Sequence, residues 1–272
     1  MASKIQNFIA LLGLPRSGTT LATALIDAHS SVEMFYEPWH SAKNNPPPIY
    51  ETPLQFKQKM RERLGIAPNP NARVVGFKET SDDREALEWS KLTLDSISGR
   101  CECKILWLVR DPMHAYLSKV DGAKKYWGNL DAKPTEEGYQ TFIRNAIYAY
   151  KFIKTISSIY PTLAFNYDAL VADPESILKD LMSFLDLELE PHQLSYHEDL
   201  KNKNKIMGDP RVAAQPQKVS QEFQQRRQDE AKVFKESLIS DFWSTSEVSS
   251  LHTFFEYVKF KKTTSSFNHI EL

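Results

Sequence analysis

Short apolar runs alternate with amphipathic segments along most of the chain. The apolar runs predict five β-strands, at Phe8–Leu12, Val32–Tyr36, Arg73–Phe77, Lys104–Val109 and Leu163–Tyr167. The first and the fourth are almost continuously apolar, which is typical of strands covered on both faces of a parallel sheet. These runs therefore predict the core of an α/β protein.

Apolar residues at helical spacing predict helices between the strands. Thr20–Ala28 and Tyr139–Tyr160 each place their apolar residues on one face. Asp173 and Pro174 supply an N-cap and a first-turn proline for a third helix over Ile177–Leu187. Strands that alternate with helices indicate a doubly wound sheet. We expect a single α/β domain over residues 1–272, with a central, mostly parallel β-sheet flanked by helices.

Three further regions complete the predicted organisation. Ser41–Pro53 contains four prolines and cannot form the interior of a helix. Asn202–Lys218 is polar and loop-like. From Gln221 onward the chain is charged and then aromatic, which predicts two helices that pack on the sheet.

The balance of charged residues argues against binding to nucleic acid or to an anionic membrane. Lys and Arg number 34 and Asp and Glu number 35, so the net charge of −1 gives no bulk attraction to nucleic acid or anionic membrane. No stretch approaches 18 apolar residues, so we expect no membrane insertion. Phe8–Leu12 is too short for the core of a signal peptide. With Cys101 and Cys103 expected as reduced thiols, these features predict a cytoplasmic protein.

The segment Gly13–Thr20, of sequence GLPRSGTT, connects the first strand with the first helix. Its glycines allow a tight turn, and the N–H groups of the turn and of the helix start converge on one spot. Arg16 adds a permanent positive charge, and Ser17, Thr19 and Thr20 add hydroxyl donors. The segment predicts an anion site; a glycine-rich turn without a ligand is the alternative.

The spacing of this loop nearly matches the Walker A pattern G-x-x-x-x-G-K-[ST]. Thr19 stands where the pattern has the lysine that binds the β- and γ-phosphates. The missing lysine favours a phosphate-like group other than a γ-phosphate. A kinase or nucleotide hydrolase remains the alternative, with Asp111 as its only candidate magnesium ligand.

The loop resembles the 5′-phosphosulfate loop of sulfotransferases that use 3′-phosphoadenosine 5′-phosphosulfate (PAPS). The resemblance implies PAPS as the donor and 3′-phosphoadenosine 5′-phosphate (PAP) as the product, without a metal; no group in the sequence has metal-ligand spacing. It further implies that the donor is bound by Pro15, Arg16, Ser17, Gly18, Thr19 and Thr20.

A second family signature is an arginine after a buried strand, followed eight residues later by a serine, both binding the 3′-phosphate. Arg110 and Ser118 in KILWLVRDPMHAYLS stand at this spacing. Arg110 would leave the carboxyl end of a strand, where ligands bind in open α/β sheets. Its planar guanidinium suits a dianionic phosphate. A structural ion pair with Asp111 is the alternative.

Two further segments extend the resemblance. Asn166–Leu170 is similar to the segment whose tyrosine lies near the adenine, which implies donor binding by Tyr167; a core aromatic is the alternative. Gly208–Arg211 is similar to a late Gly-Asn-Pro loop, which implies that Arg211 lies over the 3′-phosphate, although Asp209 departs from that pattern. The resemblance covers residues 5–211, and residues 221–272 match no family segment.

Tyr36–His40 resembles the Tyr-Glu-Pro-x-x-His segment of carbohydrate-type sulfotransferases, although it is one residue shorter. The resemblance makes Glu37 the general base and His40 the second candidate. A solvated strand-end carboxylate and a loop histidine without a catalytic role are the alternatives. Arg16 and the loop N–H groups would stabilise the charge that develops on the leaving 5′-phosphate.

The acceptor is defined only by class. Lys78 and Glu79, at the end of the third strand, would either line the acceptor site or form a strand-end ion pair. The Glu-Pro segment favours a hydroxyl of a sugar or of another polar small molecule, such as a secondary metabolite. Transfer to nitrogen, and a non-catalytic nucleotide-binding protein with this fold, are the alternatives.

Overall fold

A single sheet forms the centre of the molecule. The computed structural model describes residues 5–39, 49–65, 69–81, 83–196 and 222–265. Within these ranges the strands are β1 (Asn7–Gly13), β2 (Val32–Tyr36), β3 (Val74–Thr80), β4 (Glu102–Val109), β5 (Thr162–Asn166) and β6 (Thr263–Thr264). Their order in the sheet is β2-β3-β1-β4-β5-β6. β1 to β5 are parallel and β6 is antiparallel, so the predicted mostly parallel sheet is confirmed.

Helices connect the strands and cover both faces of the sheet. They are α1 (Thr19–Asp27), α2 (Pro53–Leu64), α3 (Arg84–Ile97), α4 (Pro112–Tyr126), α5 (Glu136–Ile156), α6 (Tyr167–Ala172), α7 (Pro174–Phe184), α8 (Glu222–Glu236) and α9 (Ser246–Lys261). Two short 3-10 helices span Pro191–Ser195 and Asp241–Ser244. The single-domain α/β fold with flanking helices is the one that the alternating pattern predicts.

The sequence pattern located the strands to within a few residues. Every residue of β1 is buried, as its continuous apolar run predicts. Arg73 lies outside β3, which begins at Val74 and extends to Thr80. Tyr167 lies outside β5 and opens α6, because the side chain of Asn166 accepts the backbone N–H of residues 168 and 169 and so starts a helix there.

Like α6, the helices α2 and α3 were not predicted, and both start at identifiable caps. Pro53, expected in an irregular segment, is the first residue of α2, where its missing N–H costs nothing. Thr52 caps this helix by accepting the N–H of Gln55 at 3.1 Å. α3 begins after Asp83, whose carboxylate accepts the N–H of Glu85 at 2.9 Å. Asp173 caps α7 as predicted.

The C-terminal helices pack in two different places. The Phe254 ring of α9 stacks on Trp107 of β4 with centroids 4.7 Å apart, so α9 lies on the sheet as predicted. In α8, Phe234 lies 5.9 Å from the Tyr116 ring, and this helix packs against α4 rather than on the sheet. The loop predicted over Asn202–Lys218 lies outside the described residues.

The sequence predicted reduced cysteines and no membrane-spanning segment. Cys101 and Cys103 are both free thiols, the second buried on β4. None of the helices in the described ranges combines the length and the apolar character needed to cross a bilayer.

Candidate active site

The carboxyl ends of the parallel strands bring the predicted site residues to one edge of the sheet. Glu37 follows β2, the loop Gly13–Thr20 follows β1, Arg110 follows β4 and Tyr167 follows β5. β3 lies between β2 and β1, which separates Glu37 from the loop by two strand spacings, or about 10 Å. Ligands bind at this edge in open α/β sheets.

The loop Gly13–Thr20 is tightly folded and partly strained. Gly13 has no room for a side chain, since a Cβ there would lie 2.7 Å from the Ser17 hydroxyl. Arg16 and Gly18 both have positive φ, at 66° and 97°. For the arginine this is an uncommon conformation, of the kind that accumulates at ligand sites. α1 then begins at Thr19.

The hydroxyl of Ser17 is an unpaired donor inside the loop. Ser17 is fully buried, and its Oγ has no hydrogen-bond partner among the described residues. A buried hydroxyl without a partner costs free energy unless a ligand satisfies it. The loop is therefore suited to an anion with several acceptor oxygens.

Arg16, Arg110 and Ser118 come together as the sequence resemblance implies. Arg110 is 8% exposed and donates from Nη1 to the backbone carbonyl oxygen of Arg16 at 2.7 Å. Nε of Arg16 lies 3.5 Å from Oγ of Ser118, which is buried about two turns into α4. The two signature segments thus form one cationic cluster at the carboxyl edge of the sheet.

Tyr167 touches this cluster and also packs, half-buried, against the hydrophobic core, so its position fits both alternatives. The Arg110 guanidinium carbon lies 4.2 Å from the centroid of the Tyr167 ring. The same ring lies against Gly18, where an added Cβ would come within 2.4 Å of two ring carbons. Gly18 is therefore required both for its positive φ and for the close approach of Tyr167.

Asp111, the candidate magnesium ligand of the kinase alternative, has a structural role at the start of α4. Its carboxylate caps α4 by accepting the N–H of His114 at 3.0 Å, and Pro112 opens the helix behind it. Across the described ranges, no group of three or more His, Cys, Asp or Glu residues is arranged to hold a metal ion.

Glu37 forms an ion pair with Lys78, whereas the sequence offered a solvated carboxylate as the alternative for Glu37 and an ion pair as the alternative for Lys78 and Glu79. The ammonium group of Lys78, which is 1% exposed, contacts Oε1 of Glu37. The other carboxylate oxygen of Glu37 accepts no hydrogen bond within the described ranges. Glu37 itself has φ of 46°, and its N–H donates to the Lys78 carbonyl oxygen at 2.8 Å.

Glu79 is a fully buried carboxyl group beside this pair. Its two oxygens accept the N–H of Trp39 at 3.0 Å and that of Thr80 at 3.1 Å. The pKa of Glu79 is raised to about 8, mainly by burial; the Glu37 carboxylate also raises it, and the two N–H donors and the Lys78 ammonium group lower it. The sequence placed Glu79 at this edge but gave no sign of these contacts.

An exposed tryptophan marks one side of the site. Trp127, just after α4, is 53% exposed, and the Arg16 guanidinium carbon lies 5.8 Å from its ring centroid. Neither of the two remaining predicted site residues, His40 and Arg211, belongs to the described residues.

A cavity of about 480 Å³ lies at the opposite, amino edge of the sheet, beside Asn7 and Glu102. Two of its charged groups have partners within the protein: Arg73 donates to the Gln6 side chain at 2.6 Å, and Asp186 accepts from Lys104 at 2.6 Å. The cavity is remote from the residues described above and has no part in their chemistry.

Comparison with known proteins identifies the family. The family model described as "Sulfotransferase domain" matches residues 7–243. No curated protein sequence gives a significant match.

Several solved structures share the fold at low sequence identity. The sulfotransferase domain from the curacin biosynthetic pathway is 16% identical with a TM-score of 0.56, covering 93% of this chain and 99% of that one. The sulfotransferase domain of the olefin synthase from Synechococcus PCC 7002 is 17% identical with a TM-score of 0.54, covering 94% and 97%. Mouse sulfotransferase SULT7A1, complexed with PAP, is 13% identical with a TM-score of 0.51, covering 94% and 90%.

The family match extends over most of the chain and includes the loop, the Glu37 turn and the Arg110 segment. It decides against a P-loop kinase or hydrolase, in agreement with the missing Walker lysine and the capping role of Asp111. This chain therefore belongs to the family of PAPS-dependent sulfotransferases.

Proposed function

We propose that this sulfotransferase moves the sulfuryl group of PAPS to a hydroxyl of a polar acceptor, a sugar or a small-molecule metabolite, with Glu37 as general base. The observation that carries the proposal is the position of Glu37. It is fixed in a left-handed conformation at the sheet edge that also holds the Gly13–Thr20 loop and Arg110.

The residues at this edge fit the donor. PAPS supplies an activated sulfuryl group attached to a phosphate that can leave. The buried, unpartnered hydroxyl of Ser17 and the N–H groups at the start of α1 would bind the 5′-phosphate end. Arg110 and Ser118 would bind the 3′-phosphate, and Tyr167 would face the adenine. Pro15, Thr19 and Thr20 complete the loop, and Arg211 stays a proposed contact.

Arg16 is assigned to the leaving phosphate. Its guanidinium group is permanently charged. Its backbone has a strained conformation, and its carbonyl oxygen accepts a hydrogen bond from Arg110. A cation fixed before the reaction needs no rearrangement when negative charge develops on the departing oxygen. Arg16 stands where many small-molecule sulfotransferases have a lysine.

Glu37 is assigned to the acceptor proton. Lys78 holds one carboxylate oxygen and leaves the second to accept a proton from the acceptor hydroxyl. A carboxylate is a weak base for an alcohol, so proton removal has to accompany bond formation to sulfur. His40 stays the alternative base.

Three observations support the choice of acceptor class. The Tyr36–His40 segment is of the carbohydrate type, and two of the structural relatives are named as domains of biosynthetic proteins. The half-exposed indole of Trp127 beside Arg16 offers a flat surface for a sugar ring or another small molecule.

The test is PAP release from PAPS with a panel of simple glycosides, hydroxy acids and phenols, each paired with an amine-bearing analogue. We expect turnover with hydroxyl acceptors, at least 100-fold loss in Glu37→Gln, and no loss in Glu102→Gln, an exposed carboxylate at the opposite edge of the sheet. Turnover with the amines alone would mean that the acceptor atom is nitrogen and not the oxygen of a hydroxyl group. Full turnover of Glu37→Gln would move the base to His40 or elsewhere.

A further inference from the structure

The carboxyl group of Glu79 is hydrogen-bonded to the turn Glu37–Trp39, which carries the proposed base. It accepts the N–H of Trp39, two residues after Glu37, at 3.0 Å. Glu79 is fully buried at the end of β3, so this bond is made without competition from water. Within the described part of the chain, the Trp39 N–H has no other acceptor.

The turn Glu37–Trp39 is in a conformation that needs external support. A glutamate at φ of 46° is in an unfavourable conformation that persists only when its surroundings determine it. Three hydrogen bonds do so. The Glu37 N–H donates to the Lys78 carbonyl oxygen at 2.8 Å, Arg63 donates to the Pro38 carbonyl oxygen at 2.8 Å, and the Trp39 N–H donates to Glu79.

The protonation of Glu79 is compatible with this contact. Burial raises the pKa of Glu79 to about 8, so at neutral pH the group is mainly the neutral acid. A neutral acid still offers a carbonyl oxygen to the Trp39 N–H, and it places no second negative charge beside Glu37. Lys78 is then paired with Glu37 alone.

We propose that Glu79 is a positioning residue for the transfer reaction: its carboxyl group holds the Glu37–Trp39 turn in the conformation that directs Glu37 toward the acceptor. This inference rests on the proposed role of Glu37 as base. Glu79 touches neither substrate nor the reacting atoms, and its effect passes through the Trp39 N–H.

Two substitutions of Glu79 distinguish a positioning role from a role in carrying a proton. Glu79→Gln resembles the neutral acid and keeps a carbonyl oxygen for Trp39, whereas Glu79→Leu keeps the bulk but leaves the buried N–H unpaired. We expect Glu79→Gln to retain kcat within about five-fold and Glu79→Leu to lose it by at least ten-fold. The dissociation constant of PAP should stay within about three-fold of wild type in both, because the donor residues are on other strands.

Amide hydrogen exchange read by mass spectrometry gives a readout that needs no acceptor. In the absence of PAPS, the Trp39 amide should exchange at least ten-fold faster in Glu79→Leu than in wild type, and near the wild-type rate in Glu79→Gln. Unchanged exchange in Glu79→Leu overturns the inference. Equal loss of kcat in both variants also overturns it, because a proton-carrying role would then replace positioning.

We measure kcat with the hydroxyl acceptor that gives the highest turnover in the panel above. Glu79→Leu is then combined with Glu37→Gln in a double-mutant cycle. Positioning through Glu37 requires that Glu79→Leu lowers kcat little further once Glu37 is glutamine. Additive losses overturn the inference while leaving Glu37 as base. Full activity of Glu37→Gln defeats the proposed function itself, and with it the role of Glu79.

Discussion

Nη1 of Arg110 donates a hydrogen bond of 2.7 Å to the backbone carbonyl oxygen of Arg16. The contact joins two segments that are 94 residues apart in the chain and that the sequence resemblance assigns to opposite ends of one nucleotide. Because Arg16 has φ of 66°, the bond also supports a strained loop conformation. Arg110, which we propose binds the 3′-phosphate, thus stabilises the loop that we propose binds the 5′-phosphate.

Loss of the Arg110 side chain should weaken binding of PAP strongly. Charged hydrogen bonds contribute about 1.5–3 kcal/mol each, so we expect Arg110→Ala to raise the dissociation constant by roughly 10- to 150-fold in isothermal titration. Arg100→Ala, an exposed arginine at the opposite edge of the sheet, is the matched control and should bind PAP normally. Normal PAP affinity in Arg110→Ala would refute the assignment.

Gly18 should not tolerate even one methyl group. A Cβ there would meet the Tyr167 ring at 2.3 Å, and φ of 97° adds backbone strain. We expect Gly18→Ala to lower PAP affinity by at least ten-fold and to reduce the melting temperature. Gly99→Ala, where nothing lies within 4 Å, should match wild type in both measurements. Equal behaviour of the two variants would contradict the described loop.

Glu79 should give the protein a distinct pH dependence of stability. Its pKa is raised by burial to about 8 in the folded state, above the ordinary value of 4.5 in the unfolded chain. Between these values the folded state binds more protons, so the unfolding free energy falls as pH rises through this window. Each pKa unit is worth about 1.4 kcal/mol.

The measurement is urea unfolding of wild type and Glu79→Gln from pH 5 to 8.5. Glutamine does not titrate, so the stability of Glu79→Gln relative to wild type should increase steadily with pH. Contributions of other groups, such as the buried His29, are common to both proteins and cancel in the comparison. Parallel stability profiles would show that Glu79 titrates normally.

The ion pair between Lys78 and Glu37 should be revealed by a double-mutant cycle. Lys78 is almost fully buried, so Glu37→Gln leaves an uncompensated ammonium and should cost about 3 kcal/mol of unfolding free energy. Adding Lys78→Met removes that charge and should recover part of the loss. Strictly additive effects in urea unfolding would mean that the two side chains do not interact.

The parts of the fold predicted from sequence are those with a local physical signal. A continuous apolar run, as in β1, and a cap followed by proline, as at Asp173 and Pro174, depend on neighbouring residues alone. The loop was recognisable because tight turns and anion binding require glycine, hydroxyl and cationic residues in a fixed order. Arg110 and Ser118 were singled out by their resemblance to a family signature, and the structure places both beside Arg16.

The parts that were missed depend on partners distant in sequence. β6 consists of two threonines that pair with the edge of β5, and no hydrophobic pattern marks them. Pro53 was assigned to an irregular segment because proline breaks helix interiors, although it is favoured at a first helical position. The contact of Glu79 with Trp39 spans 40 residues and arises only when β2 and β3 pair.

The most direct test of the account is thermal unfolding with PAP, with adenosine 5′-monophosphate and magnesium-ATP as controls. At about 100 times its dissociation constant, PAP should add roughly 2.7 kcal/mol and raise the melting temperature by about 5 °C. The account predicts this stabilisation with PAP, little with adenosine 5′-monophosphate and none specific to magnesium-ATP. Stabilisation by magnesium-ATP alone would contradict a donor site built around the 3′-phosphate.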